Sequence, residues 1–188
     1  MTVCVQKHVH LLGEINLGKM CLSDIGKMVQ TVWQELPVFY PGVQIDEFAV
    51  MPNHFHGIIL LTNEPVGAVP RASPNGGQIQ ENGQPQGVAP TNIIKDKPKR
   101  LSLPDVVHRF KSLTTAKYRH NVKNHGWQRF DRRFWQRNYY EHIIRNEDEL
   151  RQIREYIINN PLKWAEDRQN PDAVIMSPSS SSAQSWII

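Results

Sequence analysis

The chain has 188 residues, 39% hydrophobic and 21% charged, with a net charge of +4 and a mean hydropathy of −0.50. This composition can bury one core and fits one domain, but no apolar run approaches the length a bilayer span needs. The first residues lack the basic start and small-residue cleavage site of a signal peptide, and Cys4 and Cys21 make no metal-type spacing, so a reduced cytoplasmic setting without a membrane partner is the expectation.

In chain order, Val3 and Val5 alternate with polar residues, as the stub of a first strand would. Ser23 can cap a helix to about Leu36, because Ile25, Met28, Val29, Val32, Trp33 and Leu36 recur on one face. Pro37 and Pro41-Gly42 are expected to end it. Val43–Met51 reads as a strand, Pro52-Asn53 as a turn and His54–Thr62 as the returning strand. From 63 to 100 the sequence is scattered with Pro, Gly, Asn and Gln and is expected to be a flexible insertion. Ser102-Leu-Pro-Asp105 resembles a capping box opening a helix to about Asn121 that buries Val106, Val107, Phe110, Leu113 and Tyr118. Phe134–Ile144 reads as another strand. Asn146-Glu-Asp-Glu149 caps a last helix ending at Asn160 before Pro161. The serine-rich stretch after it marks 173–188 as a disordered tail, leaving 1–172 as a single domain. This order predicts an α+β fold: a ferredoxin-like antiparallel sheet with helices on one face, plus a C-terminal helix carrying a tyrosine.

Charge is concentrated rather than spread. Between Lys95 and Arg137 thirteen Lys/Arg face three Asp, a net +10, which leaves −6 for the rest. Aromatic residues interleave with these cations, as suits a single-stranded nucleic acid whose phosphates need neutralising and whose bases can stack. Arg109, Lys111, Lys117, Arg119 and Arg137 are the candidate DNA contacts. A solvated helix face with ordinary core aromatics would read the same way.

Two features carry chemistry. His54 and His56 lie two apart on the predicted strand, so both imidazoles leave one face and can take adjacent positions on a divalent cation. On the last helix Leu150, Ile153 and Ile157 form the buried stripe, and Tyr156 lies about 100° off it. The amphipathic pattern does not account for this tyrosine, and Asn160 stands one turn along the same side. A phenol attacks phosphorus poorly at neutral pH because its pKa is near 10, unless a cation offsets the developing charge. His54, His56 and the Asn160 amide could supply three ligands to Mg²⁺ or Mn²⁺, with open positions left for phosphate and water.

Met51-Pro-Asn-His-Phe-His-Gly57, Trp135-Gln-Arg-Asn-Tyr-Tyr-Glu-His-Ile-Ile-Arg145 and Tyr156-Ile-Ile-Asn-Asn-Pro-Leu-Lys163 together resemble the single-tyrosine HUH transposases of bacterial insertion sequences, closest to the REP-associated tyrosine transposases. The resemblance implies a metal-dependent endonuclease and strand transferase acting on single-stranded or hairpin DNA through a 5′-phosphotyrosine. By motif, His54 and His56 match the metal pair, Tyr156 the nucleophile and Asn160 the place of a further ligand. His142 and Arg145 match positions of packing or DNA contact, and His142 joins the candidate DNA contacts. Tyr139-Tyr140 is a rival nucleophile pair on the predicted strand. The family begins with a fuller first strand than this chain. The competing expectation from another class is a non-catalytic hairpin-binding protein descended from a transposase. Monomer and homodimer both fit the sequence, as does a tyrosine serving its own or a neighbour's site.

Overall fold

The computed structural model describes residues 1–62 and 101–173. The expected insertion at 63–100 lies outside them, as does the expected tail from 174 onward. Within the described residues the fold is a mixture of antiparallel strands and three α-helices. The strands are β1 (Thr2–Cys4), β2 (Gly13–Asn16), β3 (Lys19–Leu22), β4 (Val43–Val50) and β5 (His54–Leu61). The helices are α1 (Asp24–Phe39), α2 (Leu103–Asn124) and α3 (Glu147–Asn159), the last running into a 3-10 segment, Asn160–Glu166. No helix among the described residues is long and apolar enough to cross a membrane.

The main sheet has the order β1-β5-β4, with Cys4 opposite His54, Thr2 opposite His56 and Ala49 opposite His56 on the other side. The histidine strand is therefore central, held by a ladder on each flank. Successive residues of β5 face opposite sides. Phe55 looks into the core, its ring 4.7 Å from Trp33 of α1 and 5.1 Å from Phe110 of α2. His54 and His56 look the other way, onto α3 and the 3-10 segment, with ring centroids 6.0 Å from Trp164 and 5.5 Å from Tyr156 respectively. Two helices thus cover one face and the tyrosine helix covers the other. Gly57 makes the first layer possible: a Cβ there would stand 2.5 Å from the Trp33 ring.

Two expectations need correction, and one hairpin was not foreseen. Pro37 does not end α1, which continues to Phe39 with the proline inside it. Only one backbone donor is lost so close to the end, and Tyr40 N–H still reaches Leu36 O at 2.9 Å. The segment expected as a strand over Phe134–Ile144 is reduced to two isolated bridges, Val5 with Trp135 and Thr2 with Tyr140. Between them the carbonyls of Gln136, Arg137 and Asn138 turn to the Lys111 ammonium at 3.0, 3.2 and 3.0 Å. They are thereby removed from any ladder with β1. Finally, β2 and β3 form a separate hairpin that the sequence reading passed over; its turn, Leu17-Gly18, has both residues at positive φ, 50° and 74°, the geometry of the tight hairpin turns.

The caps behave as their sequences require. The Ser102 side chain accepts from Asp105 N–H while Asp105 accepts from Ser102 N–H, a reciprocal capping box. Asn146 accepts from Glu149 N–H at 2.8 Å to start α3. Arg154 then ties that helix to β4 through Asp46, with nitrogen–oxygen distances of 2.8 and 2.5 Å.

Candidate active site

His54 and His56 project from β5 with their Nε2 atoms 2.9 Å apart and their Nδ1 atoms facing Asn53 Oδ1 at 2.8 Å and Thr2 Oγ1 at 2.7 Å. Both rings are buried, at 0% and 6% exposure. Burial keeps them neutral: it drives His54 well below the ordinary imidazole range and His56 down to about 3. Two nitrogens bound at right angles to one cation, each by a bond of about 2.1 Å, would stand about 3.0 Å apart. The observed spacing fits that geometry.

The 3-10 segment and the turn after it bring further groups to the same point. Asp167 Oδ2 lies 3.8 Å from His54 Nε2, and the ligand atoms of His54, His56 and Asp167 all fall within 4.8 Å of one another. These three residues can hold a metal ion. Burial raises the Asp167 carboxyl above its usual range, while hydrogen bonds from Gln169 N–H and the Asn160 amide partly oppose this. The Asn160 Nδ2 is 3.4 Å from His56 Nε2 and its Oδ1 is buried with no partner. A carboxylate with little solvent, two neutral imidazoles and an orphaned amide oxygen form a donor set short of positive charge. The residues present suit a divalent cation on those grounds.

Tyr156 is half-buried on α3, one turn before Asn160. Its phenol is raised to about 12, first by burial and then by the Asp167 charge, with Asn160 hydrogen bonding and the Arg168 charge acting in the opposite direction. The sequence reading therefore met His54, His56, Tyr156 and Asn160, and the fold brings all four together. It missed Asp167. The Asp lies seven residues beyond Asn160 in a stretch with no periodic signal, so nothing local marks it.

The rival tyrosines lie on the same groove, about 930 Å³ in volume, which runs from His56 and Tyr156 past Tyr139, Tyr140 and Ile143 to Arg145. The Tyr139 phenol is pushed up to about 12 by burial and by its hydrogen bond with Glu141. The candidate DNA contacts are dispersed. Arg109 lies over the Tyr40 ring at 4.7 Å and Arg119 over Phe130 at 6.0 Å. Lys117 pairs with Glu35 at 2.9 Å, and Arg137 is exposed. His142 meets Glu149 at 2.6 Å on the groove wall. Lys111 spends its ammonium on three carbonyls and, through burial, has its pKa lowered.

Comparison with known proteins finds a family likeness over part of the chain. The model of the IS200-like transposases matches residues 93–160, which contain α2, the Tyr139-Tyr140 pair and the tyrosine helix. An uncharacterised protein of Haemophilus influenzae is 38% identical over 168 residues, covering 89% of this chain and 82% of that protein. Over residues 93–160 the chain is similar to the IS200-like transposases, which supports a transposase family. A transposase family implies DNA as the partner and DNA transposition, with its strand cleavage, as the class of activity. No solved structure matches the chain.

Proposed function

We propose that this protein is a transposase acting as a metal-dependent endonuclease and strand transferase for single-stranded or hairpin DNA, with Tyr156 as nucleophile. The observation that carries the reading is convergence: His54, His56, Asp167 and Tyr156 come from a strand, a turn and a helix up to 113 positions apart, yet meet at one buried point. In the proposed reaction the Tyr156 oxygen forms a bond to the scissile phosphorus and its proton departs to solvent. The phosphorus–3′-oxygen bond breaks, and the leaving oxygen takes up a proton to become a free 3′-hydroxyl. The DNA 5′ end remains as a phosphotyrosine until another 3′-hydroxyl displaces it.

His54, His56 and Asp167 would hold a cation, Mg²⁺ or Mn²⁺, with Asn160 adding a fourth donor if its amide turned the unpartnered Oδ1 inward. When bound, such an ion polarises the phosphate and screens the charge developing on the attacking and leaving oxygens. The two causes that hold the phenol near 12, low solvation and the Asp167 charge, would then be offset at that site. The sheet order, with the bridged 135–140 segment beside β1, supports the ferredoxin-like reading of the scaffold.

The test uses a single-stranded oligonucleotide carrying a hairpin, in Mg²⁺ or Mn²⁺. A protease-sensitive adduct to the 5′-phosphate is expected from the parent, lost in Tyr156→Phe and kept in Tyr140→Phe. The reverse pattern would move the nucleophile to Tyr140. Hairpin binding without cleavage by any of the three would make this a DNA-binding descendant of a transposase.

A further inference from the structure

Asn53 sits in the turn between β4 and β5 and is fully buried. Its side chain joins three parts of the fold. Nδ2 donates to His8 O at 3.2 Å and to Gln169 O at 2.6 Å, while Oδ1 lies 2.8 Å from His54 Nδ1. Its backbone oxygen accepts from Val5 N–H at 2.8 Å. Both partners of Nδ2 are carbonyls, which only accept. Turning the amide over would set oxygen against oxygen at 2.6 Å, so the two backbone groups dictate which way it points.

That orientation decides the chemistry of His54. An amide oxygen cannot donate, so the proton between Oδ1 and Nδ1 belongs to the ring. A neutral imidazole has one N–H, and Nε2 is left with a bare lone pair directed at the site. We propose that Asn53 is a positioning residue that locks His54 in its Nδ1-protonated form, so that Nε2 is always presented as a ligand. This rests on the reading of His54 as a metal ligand.

His56 is held differently. Its Nδ1 partner is the Thr2 hydroxyl, which can donate or accept, and its Nε2 is 2.9 Å from His54 Nε2. With the His54 nitrogen bare, His56 Nε2 carries the proton in the metal-free protein and donates it across that gap. When both nitrogens serve as ligands, the His56 proton sits on Nδ1 and the Thr2 hydroxyl rotates to accept it. The ring neither gains nor loses a proton; only its position changes. One imidazole is fixed by an amide and its neighbour is adjustable through a hydroxyl.

Nitrogen-15 NMR of the full chain without metal tests the assignment. The expected spectrum has His54 protonated at Nδ1 and His56 at Nε2, and Mg²⁺ moves only the His56 proton. Finding the His54 proton on Nε2 would overturn the proposal. Calorimetry with Mn²⁺ supplies the second readout. Asn53→Ala should weaken binding by roughly 10–100-fold. Asn53→Asp keeps an acceptor on Nδ1 but loses both donors, so it should hold Mn²⁺ within a few-fold of the parent while melting at a lower temperature. Equal Mn²⁺ affinity in Asn53→Ala and the parent would leave Asn53 with a structural role only. Neither readout involves DNA, so failure of strand cleavage and failure of this assignment are separate results.

Discussion

The buried imidazoles connect the site to the stability of the domain. An unfolded histidine titrates near 6.5, whereas burial holds His56 at about 3 in the fold. Above about pH 6.5 neither state carries the proton and the ring contributes no pH dependence. As pH falls from there towards 3, only the unfolded chain takes the proton up, so stability is lost across that window. At pH 5 the loss from this one ring should be about 2 kcal/mol. Urea denaturation of metal-free protein at pH 7.5 and pH 5 should show it, and His56→Gln should reduce the difference. An unchanged pH response in that variant would place the acid sensitivity elsewhere. Added Mn²⁺ should stabilise the parent at neutral pH by binding only the folded site.

At the scale of elements, the segment from Trp135 to Tyr140 is shaped by a single lysine. Three consecutive carbonyls gather on the Lys111 ammonium, which occupies its three donors. Removing it leaves those oxygens without a charged partner beside a buried β1. Lys111→Met should therefore cost about 1.5–3 kcal/mol in denaturant titration, the range for hydrogen bonds to charged groups. A loss below about 0.5 kcal/mol would show that water replaces the ammonium freely. This clamp also explains the failed strand expectation. An aromatic and apolar run from Phe134 to Ile144 reads as a strand, but a strand needs its carbonyls for the neighbouring ladder. Which partner a carbonyl takes is settled by a lysine 25 residues away. The helix N-caps of α2 and α3, by contrast, were legible because cap and recipient are three residues apart and need no tertiary help.

For the whole molecule, the concentration of positive charge along α2 and the loop after it is the feature that a DNA strand would meet. Arg119 and Arg137 are exposed, and Lys111 is turned inward. Each phosphate contact on a single strand contributes about 0.7 to the slope of log affinity against log salt. Arg119→Ala and Arg137→Ala should each flatten that slope by about this amount, measured by fluorescence anisotropy with a labelled oligonucleotide. Lys111→Met should leave the slope unaltered; a flattening equal to that of the arginines would mean that the lysine leaves its carbonyls to reach DNA.

Read by itself, the sequence determined the three helices, the β4–β5 hairpin, the histidine pair, and the tyrosine set off its helix's apolar stripe. Each depends on periodicity or on a spacing of a few residues, which local backbone geometry converts directly into direction. The tertiary structure alone decided that Asp167 joins the histidines, that Asn53 orients one of them, and that Lys111 faces a backbone rather than a phosphate. Those outcomes depend on where distant segments stop against each other, and chain closure over a hundred residues leaves no periodic trace in the letters between.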